Sequence, residues 1–197
     1  MIDLLPADLI LVHRKWRGWW EELFPNPLKI AGYFASRQIQ KESDSPFNHV
    51  ALVHDDIYLL EAQSQVQRAL IEKYLDEEKY GVIILHHRYL TLNQRYEIAA
   101  WAQERLGEDY DYGFIFRAWL KGVLINKGIF GAIELKDNYP DKWVCSEFVQ
   151  EAYKAAGKTL SKYMMYPADF PKLIRSADNG NPREKPFDII YSNFDYE

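Results

Sequence analysis

Residues 48–62 constrain the fold most tightly. His49, Ala51 and Val53 alternate with their neighbours up to Asp55-Asp56, and Ile57, Leu59 and Glu61 alternate on the return. That period-two pattern is the signature of a β-hairpin turning at the two aspartates. Loop length then decides which side chains meet. A loop of Asp55 and Asp56 alone sets His49 opposite Ala62 and turns Glu61 to the other face. A loop of His54, Asp55 and Asp56 sets His49 directly opposite Glu61, with β carbons about 5 Å apart. The second register gives the imidazole a carboxylate partner and is the one expected.

A helix carries the next signal. Phe148, Val149, Ala152, Tyr153 and Ala156 recur at helical spacing after Cys145, and Gly157 follows as a stop. Cys145, the only cysteine of the chain, therefore falls in the first turn. There the unpaired N–H groups and the helix dipole favour a thiolate, the form that attacks carbonyl carbon. A small buried hydrophobe is the plainer role for such a residue. A lone cysteine excludes internal disulfides and four-thiolate zinc sites.

The remaining chain alternates strands and helices without repeat, low-complexity tract or linker, so one domain over residues 1–197 is expected. Residues 8–12 form an apolar run suited to a buried strand. Residues 13–20 interleave His13, Arg14, Lys15 and Arg17 with three tryptophans, a pattern suited to a packed arm with wet cations or to gripping a substrate or surface. A helix is expected over 28–39, a helical start at 71, and a strand over 81–87 ending in a solvated His86-His87 pair. Residues 91–106 read as an amphipathic helix capped by Thr91 or Asn93, with Gly107 as its stop. The region 113–138 is apolar and glycine-punctuated, suited to a lid. Residues 166–174 read as a helix start with Pro171 early in it, 178–182 as a loop and 187–191 as a last strand.

The net charge of −5 gives no general attraction to nucleic acid. The opening residues lack the basic segment and apolar run of a secretion signal, which points to the cytoplasm. No stretch reads as a transmembrane helix. No cofactor and no metal site are expected.

A cysteine hydrolase needs a thiolate, an imidazole to pair with it, and a polar group to hold the ring's other nitrogen. Cys145, His49 and Glu61 supply the three types, in the reverse of papain's order. In that order the chain resembles the circularly permuted members of the NlpC-type papain-like superfamily, to which the lecithin retinol acyltransferase group is related. Pro6-Ala7-Asp8-Leu9-Ile10-Leu11 is similar to the family's first strand, with Ala7 where glycine is usual. Phe47-Asn48-His49-Val50-Ala51-Leu52-Val53 resembles the histidine strand, and Leu60-Glu61-Ala62 the strand with the acid. Gly107-Glu108-Asp109-Tyr110-Asp111, Val144-Cys145-Ser146-Glu147-Phe148-Val149 and Tyr166-Pro167-Ala168-Asp169 resemble the later segments.

The resemblance implies an α+β, permuted papain-like fold: an antiparallel sheet packed against helices, with the nucleophile at a helix N-terminus. It implies Cys145 as nucleophile, His49 as general base and acid, Glu61 as the group orienting His49, and the Cys145 backbone N–H as oxyanion donor. Tyr110 matches a tyrosine near the nucleophile, in contact with substrate or oxyanion, or packed on the core. The expected activity is cleavage of an amide or peptide bond, cell-wall-type peptides included. Acyl transfer or thioester and lipid ester hydrolysis is the alternative, and a non-catalytic binding module the second.

Overall fold

The computed structural model describes residues 2–15, 46–113, 142–163, 165–174 and 185–194. The helix expected at 28–39, the tryptophans of the basic arm, nearly all of 113–138 and the loop at 178–182 lie outside the described residues. Strands β1 (Leu9–Arg14), β2 (His49–Val53), β3 (Tyr58–Ala62), β4 (Val66–Leu70), β5 (Tyr80–His87) and β8 (Phe187–Ser192) form one sheet in the order β4-β3-β2-β1-β5-β8. Every neighbouring pair in it is antiparallel. Helices α1 (Leu92–Gln103) and α2 (Cys145–Ala155) complete an α+β fold, and β6 (Asp109–Tyr110) pairs in parallel with β7 (Lys142–Trp143).

Alternation divides the core in two. Leu9, Leu11, Val50, Leu52, Leu60, Ile83 and Leu85 point to the face covered by α1 and α2, against Ile98, Phe148, Val149 and Tyr153. Ile10, Val12, Ala51, Val53, Leu59, Val82 and Ile84 point the other way, against Leu4 and the 3-10 turn Ile71–Tyr74. A strand buried on both faces reads as a continuous apolar run, which is why residues 9–12 carry no polar side chain. The strand runs on to Arg14, so the first residues of the basic arm belong to the sheet; His13 Nδ1 lies 2.8 Å from the Pro46 carbonyl.

The hairpin departs from its expected register. Leu52 pairs with Leu60 and Val53 with Leu59, so Asp55, Asp56 and Ile57 form the turn and Glu61 stands opposite Ala51. Asp55 is the reason. Its Oδ1 accepts the N–H groups of Ile57 and Tyr58, both at 2.8 Å, and draws Ile57 into the tip at 58% exposure. The ladder is displaced by two residues, which leaves every side chain on its expected face.

Thr91 caps α1. Its Oγ1 accepts the Gln94 N–H and Gln94 Oε1 accepts the Thr91 N–H, a reciprocal capping box. Gly107 and Gly157, beyond the two helix ends, have φ of +92° and +72°, the left-handed region that favours glycine. Residues 167–173 form a 3-10 segment, not the first turn of an α-helix.

The histidine pair is not a solvated strand end. His87 is buried, with the Phe187 and Tyr153 rings at 5.0 and 5.8 Å, and burial pushes its pKa down to about 4. His86 Nδ1 lies 3.0 Å from Asp8 Oδ1, which also receives the buried Arg95 guanidinium at 2.8 Å.

Candidate functional site

Backbone pairing at one end of the sheet gathers the site. His49 opens β2, Ala62 closes β3 and Val66 opens β4, with Ala62 and Val66 paired. The Val66 N–H donates to the Glu108 carbonyl at 2.8 Å and the Gly107 N–H to the Val66 carbonyl at 2.9 Å, which docks the chain leaving α1 onto this corner. β6 follows at once, β7 pairs with it, and Cys145 comes two residues after Trp143. Trp143 meets Trp101 of α1 at 5.4 Å and Phe148 of α2 at 6.1 Å, and its indole N–H donates to Glu108. Aromatic packing thereby fixes the start of α2 against the sheet end.

His49 Nε2 lies 2.8 Å from Glu61 Oε2. Alternation puts both side chains on the face that carries Tyr74, and the displaced register makes them diagonal neighbours, still within reach of each other. With Nε2 engaged by Glu61, Nδ1 is the nitrogen left to face Cys145, one of the groups that raise the pKa of the ring. Cys145 belongs to the helical-face core, so thiol and imidazole meet around the first residue of β2.

Electrostatics favour the charged ring. Burial opposes a proton on His49, but hydrogen bonds to Cys145 and Glu61, with the charge of each, raise its pKa to about 10. Burial likewise opposes the charge on Glu61, and His49, Lys73 and the Tyr74 hydroxyl bring its pKa down to about 2. Glu61 is thus an ionised carboxylate with no exposed surface, balanced by an imidazolium.

Tyr110 sits beside Trp143 in the β6–β7 pair, with its ring 5.0 Å from Tyr112. Burial and the nearby Cys145 charge push its pKa well above the usual tyrosine value, so its hydroxyl stays protonated. Three side chains around Glu61 were not singled out in the sequence. Tyr74 Oη donates to Glu61 Oε2 at 2.6 Å, Gln67 Nε2 donates to Oε1 at 2.9 Å, and Lys73 Nζ lies 3.5 Å from Oε1. Only strand pairing for Gln67, and the return of the 71–74 turn over the sheet for the other two, brings them there.

Among the described residues, no cluster of three or more His, Cys, Asp or Glu side chains is arranged to hold a metal. No described helix is long and apolar enough to cross a membrane. Neither a scan against protein-family models nor a search of curated proteins returned a match.

Proposed function

We propose that the chain is a cysteine hydrolase of the circularly permuted papain-like (NlpC-type) kind, cleaving an amide or peptide bond through an acyl-enzyme on Cys145. The observation that carries this reading is the 2.8 Å contact of His49 with the buried Glu61 carboxylate, with Cys145 at the start of α2 close enough to raise the pKa of the ring. A structural cysteine needs no such neighbours.

The chemistry follows from the contacts. The imidazolium holds Cys145 as thiolate, and Glu61 holds the ring with one nitrogen toward sulfur. Sulfur attacks the carbonyl carbon, forming a C–S bond and an oxyanion. The Cys145 N–H, without an intrahelical acceptor at the first position of α2, donates to that oxyanion, a contribution of about 3 kcal/mol in comparable sites. Val144 precedes it with no side-chain cap to compete. His49 gives its proton to the leaving nitrogen as the C–N bond breaks. The neutral ring then takes a proton from water, which hydrolyses the thioester and returns the thiolate.

The test is the rate of iodoacetamide alkylation against pH, with the adduct located on Cys145 by mass spectrometry, in the unaltered protein and in His49→Ala. A rate that stays high well below the roughly 8.5 of a free thiol, and loses its low-pH plateau in the variant, is the expected result. An ordinary thiol titration indifferent to His49 overturns the reading. Liposome flotation then separates an amidase of soluble peptides, which stays in the dense fraction, from an acyltransferase or lipid esterase, which floats.

A further inference from the structure

The hydroxyl of Tyr74 and the ring of His49 share one oxygen atom. Glu61 Oε2 accepts from Tyr74 Oη at 2.6 Å and from His49 Nε2 at 2.8 Å, while Oε1 takes Gln67 at 2.9 Å. Tyr74 is buried, from the 3-10 turn at 71–74, with its ring 5.1 Å from Tyr80 and 6.0 Å from His49. Lys73 Nζ lies 3.0 Å from the Tyr74 hydroxyl and 4.4 Å above its ring. A lysine ammonium has no acceptor capacity and an ionised carboxylate no donor capacity. The hydroxyl therefore accepts from Lys73 and donates to Glu61, and it has one orientation.

We propose that Tyr74 is a positioning residue of the site: by donating to the oxygen that holds His49 Nε2, it locks the Glu61 carboxylate against rotation and keeps the His49 ring turned to Cys145. This rests on the cysteine hydrolase reading for its purpose, but not for its geometry. Glu61 reaches His49 on a diagonal, and a carboxylate on a two-methylene stem has freedom to swing that a directly opposite pair lacks. Burial, together with the Glu61 charge and hydrogen bond, pushes the pKa of Tyr74 far above the usual tyrosine value, so the donor is retained. Oε1 has Lys73 at 3.5 Å besides Gln67 and keeps a donor when Gln67 is removed, whereas on Oε2 only Tyr74 stands beside His49 to hold the carboxylate in place.

The test follows the His49 Nε2 proton by low-temperature NMR of protein with ¹⁵N-labelled histidine, the line being assigned by its loss in His49→Ala. In the unaltered protein a hydrogen-bonded Nε2 proton line is expected at neutral pH. In Tyr74→Phe, which removes only the hydroxyl, exchange of that proton with water should speed up at least tenfold, or the line should vanish, while circular dichroism stays native. In Gln67→Ala, where Oε2 keeps both donors, exchange should change less than twofold. An unchanged line in folded Tyr74→Phe, its absence from the unaltered protein, or a loss in Gln67→Ala with Tyr74 present each overturns the proposal. Where Tyr74→Phe does not fold, a loss of the line in Gln67→Ala still overturns the proposal. An ordinary, His49-indifferent thiol combined with the expected Tyr74 result would sink the hydrolase reading and leave Tyr74's positioning of the pair intact.

Discussion

The pairing of Leu52 with Leu60, continued along the strands, sets Glu61 opposite Ala51, yet its carboxylate binds His49 two residues further along β2, at 2.8 Å. The pair is thus a diagonal one, made by side-chain reach, and the charge on each partner depends on the other.

Glu61→Gln removes the charge and keeps the shape. The imidazolium loses its carboxylate, and the proposed thiolate loses its counter-ion in the low pH range. Alkylation of Cys145 at pH 6 should fall on the order of tenfold or more, since each pKa unit is a factor of ten. A rate at pH 6 equal to that of the unaltered protein would contradict the role of Glu61.

The same pair sets a pH window for stability. His49 is raised from 6.5 to about 10, so its contribution is full below 6.5 and is lost as pH rises through 10. Glu61 is lowered from 4.5 to about 2, so its contribution is full above 4.5 and is lost as pH falls through 2. Counted once for the pair, the effect is on the order of 3–5 kcal/mol. Urea denaturation of the unaltered protein and of His49→Gln should differ most between pH 4.5 and 6.5 and converge toward pH 10. A constant difference across that range would refute the linkage.

His87 has the opposite sign. Buried and held to about 4 against a normal 6.5, it is neutral in the folded protein and charged in the unfolded chain between those values. Its burden on stability therefore grows as pH falls from 6.5 through 4, on the order of 3 kcal/mol. His87→Phe, among Phe187 and Tyr153, should flatten the stability profile over that interval. An equally steep profile in the variant assigns the acid loss elsewhere.

Ala7 is a fully buried residue at φ +66°, the left-handed region. Glycine there relieves about 1–2 kcal/mol of strain but gives up a buried methyl and gains unfolded-chain entropy, each of about 1 kcal/mol or less. Ala7→Gly should therefore lie within about 1 kcal/mol of the unaltered protein. Ala7→Val meets both the β-branched penalty at positive φ and overpacking, and should lose about 3 kcal/mol or more. Equal tolerance of the two in urea melts would remove the argument.

What the sequence disclosed follows the range of the interactions involved. The start of α2 was legible because Phe148, Val149, Ala152 and Tyr153 keep one helical stripe, and the cap of α1 because Thr91 and Gln94 are three residues apart. The face shared by His49 and Glu61 survived a wrong register because a displacement of two preserves alternation. The register itself failed on one side chain, Asp55, whose two bonds draw the exposed Ile57 into the turn. β4 went unread because Gln67 and Arg68 interrupt its apolar pattern at a sheet edge, and β6 and β7 because a two-residue pairing between distant segments leaves no periodicity. His87 was misjudged because its neighbours Tyr153 and Phe187 come from far along the chain.

The pairing of β2 with β3 has a consequence for the order in which the chain is made. His49 and Glu61 are 12 residues apart, whereas Cys145 leaves the ribosome roughly a hundred residues after His49. Synthesis proceeds from the N-terminus at about 5–20 residues per second, so several seconds separate the two events. The imidazole and its carboxylate can meet in a nascent hairpin while the thiol is still unmade, and Cys145 reaches them on the helix that also brings Phe148, Val149 and Tyr153 to the core. The thiol then joins the pair only together with the helix that covers this face of the sheet, and no chain that stops short of α2 carries Cys145 beside His49.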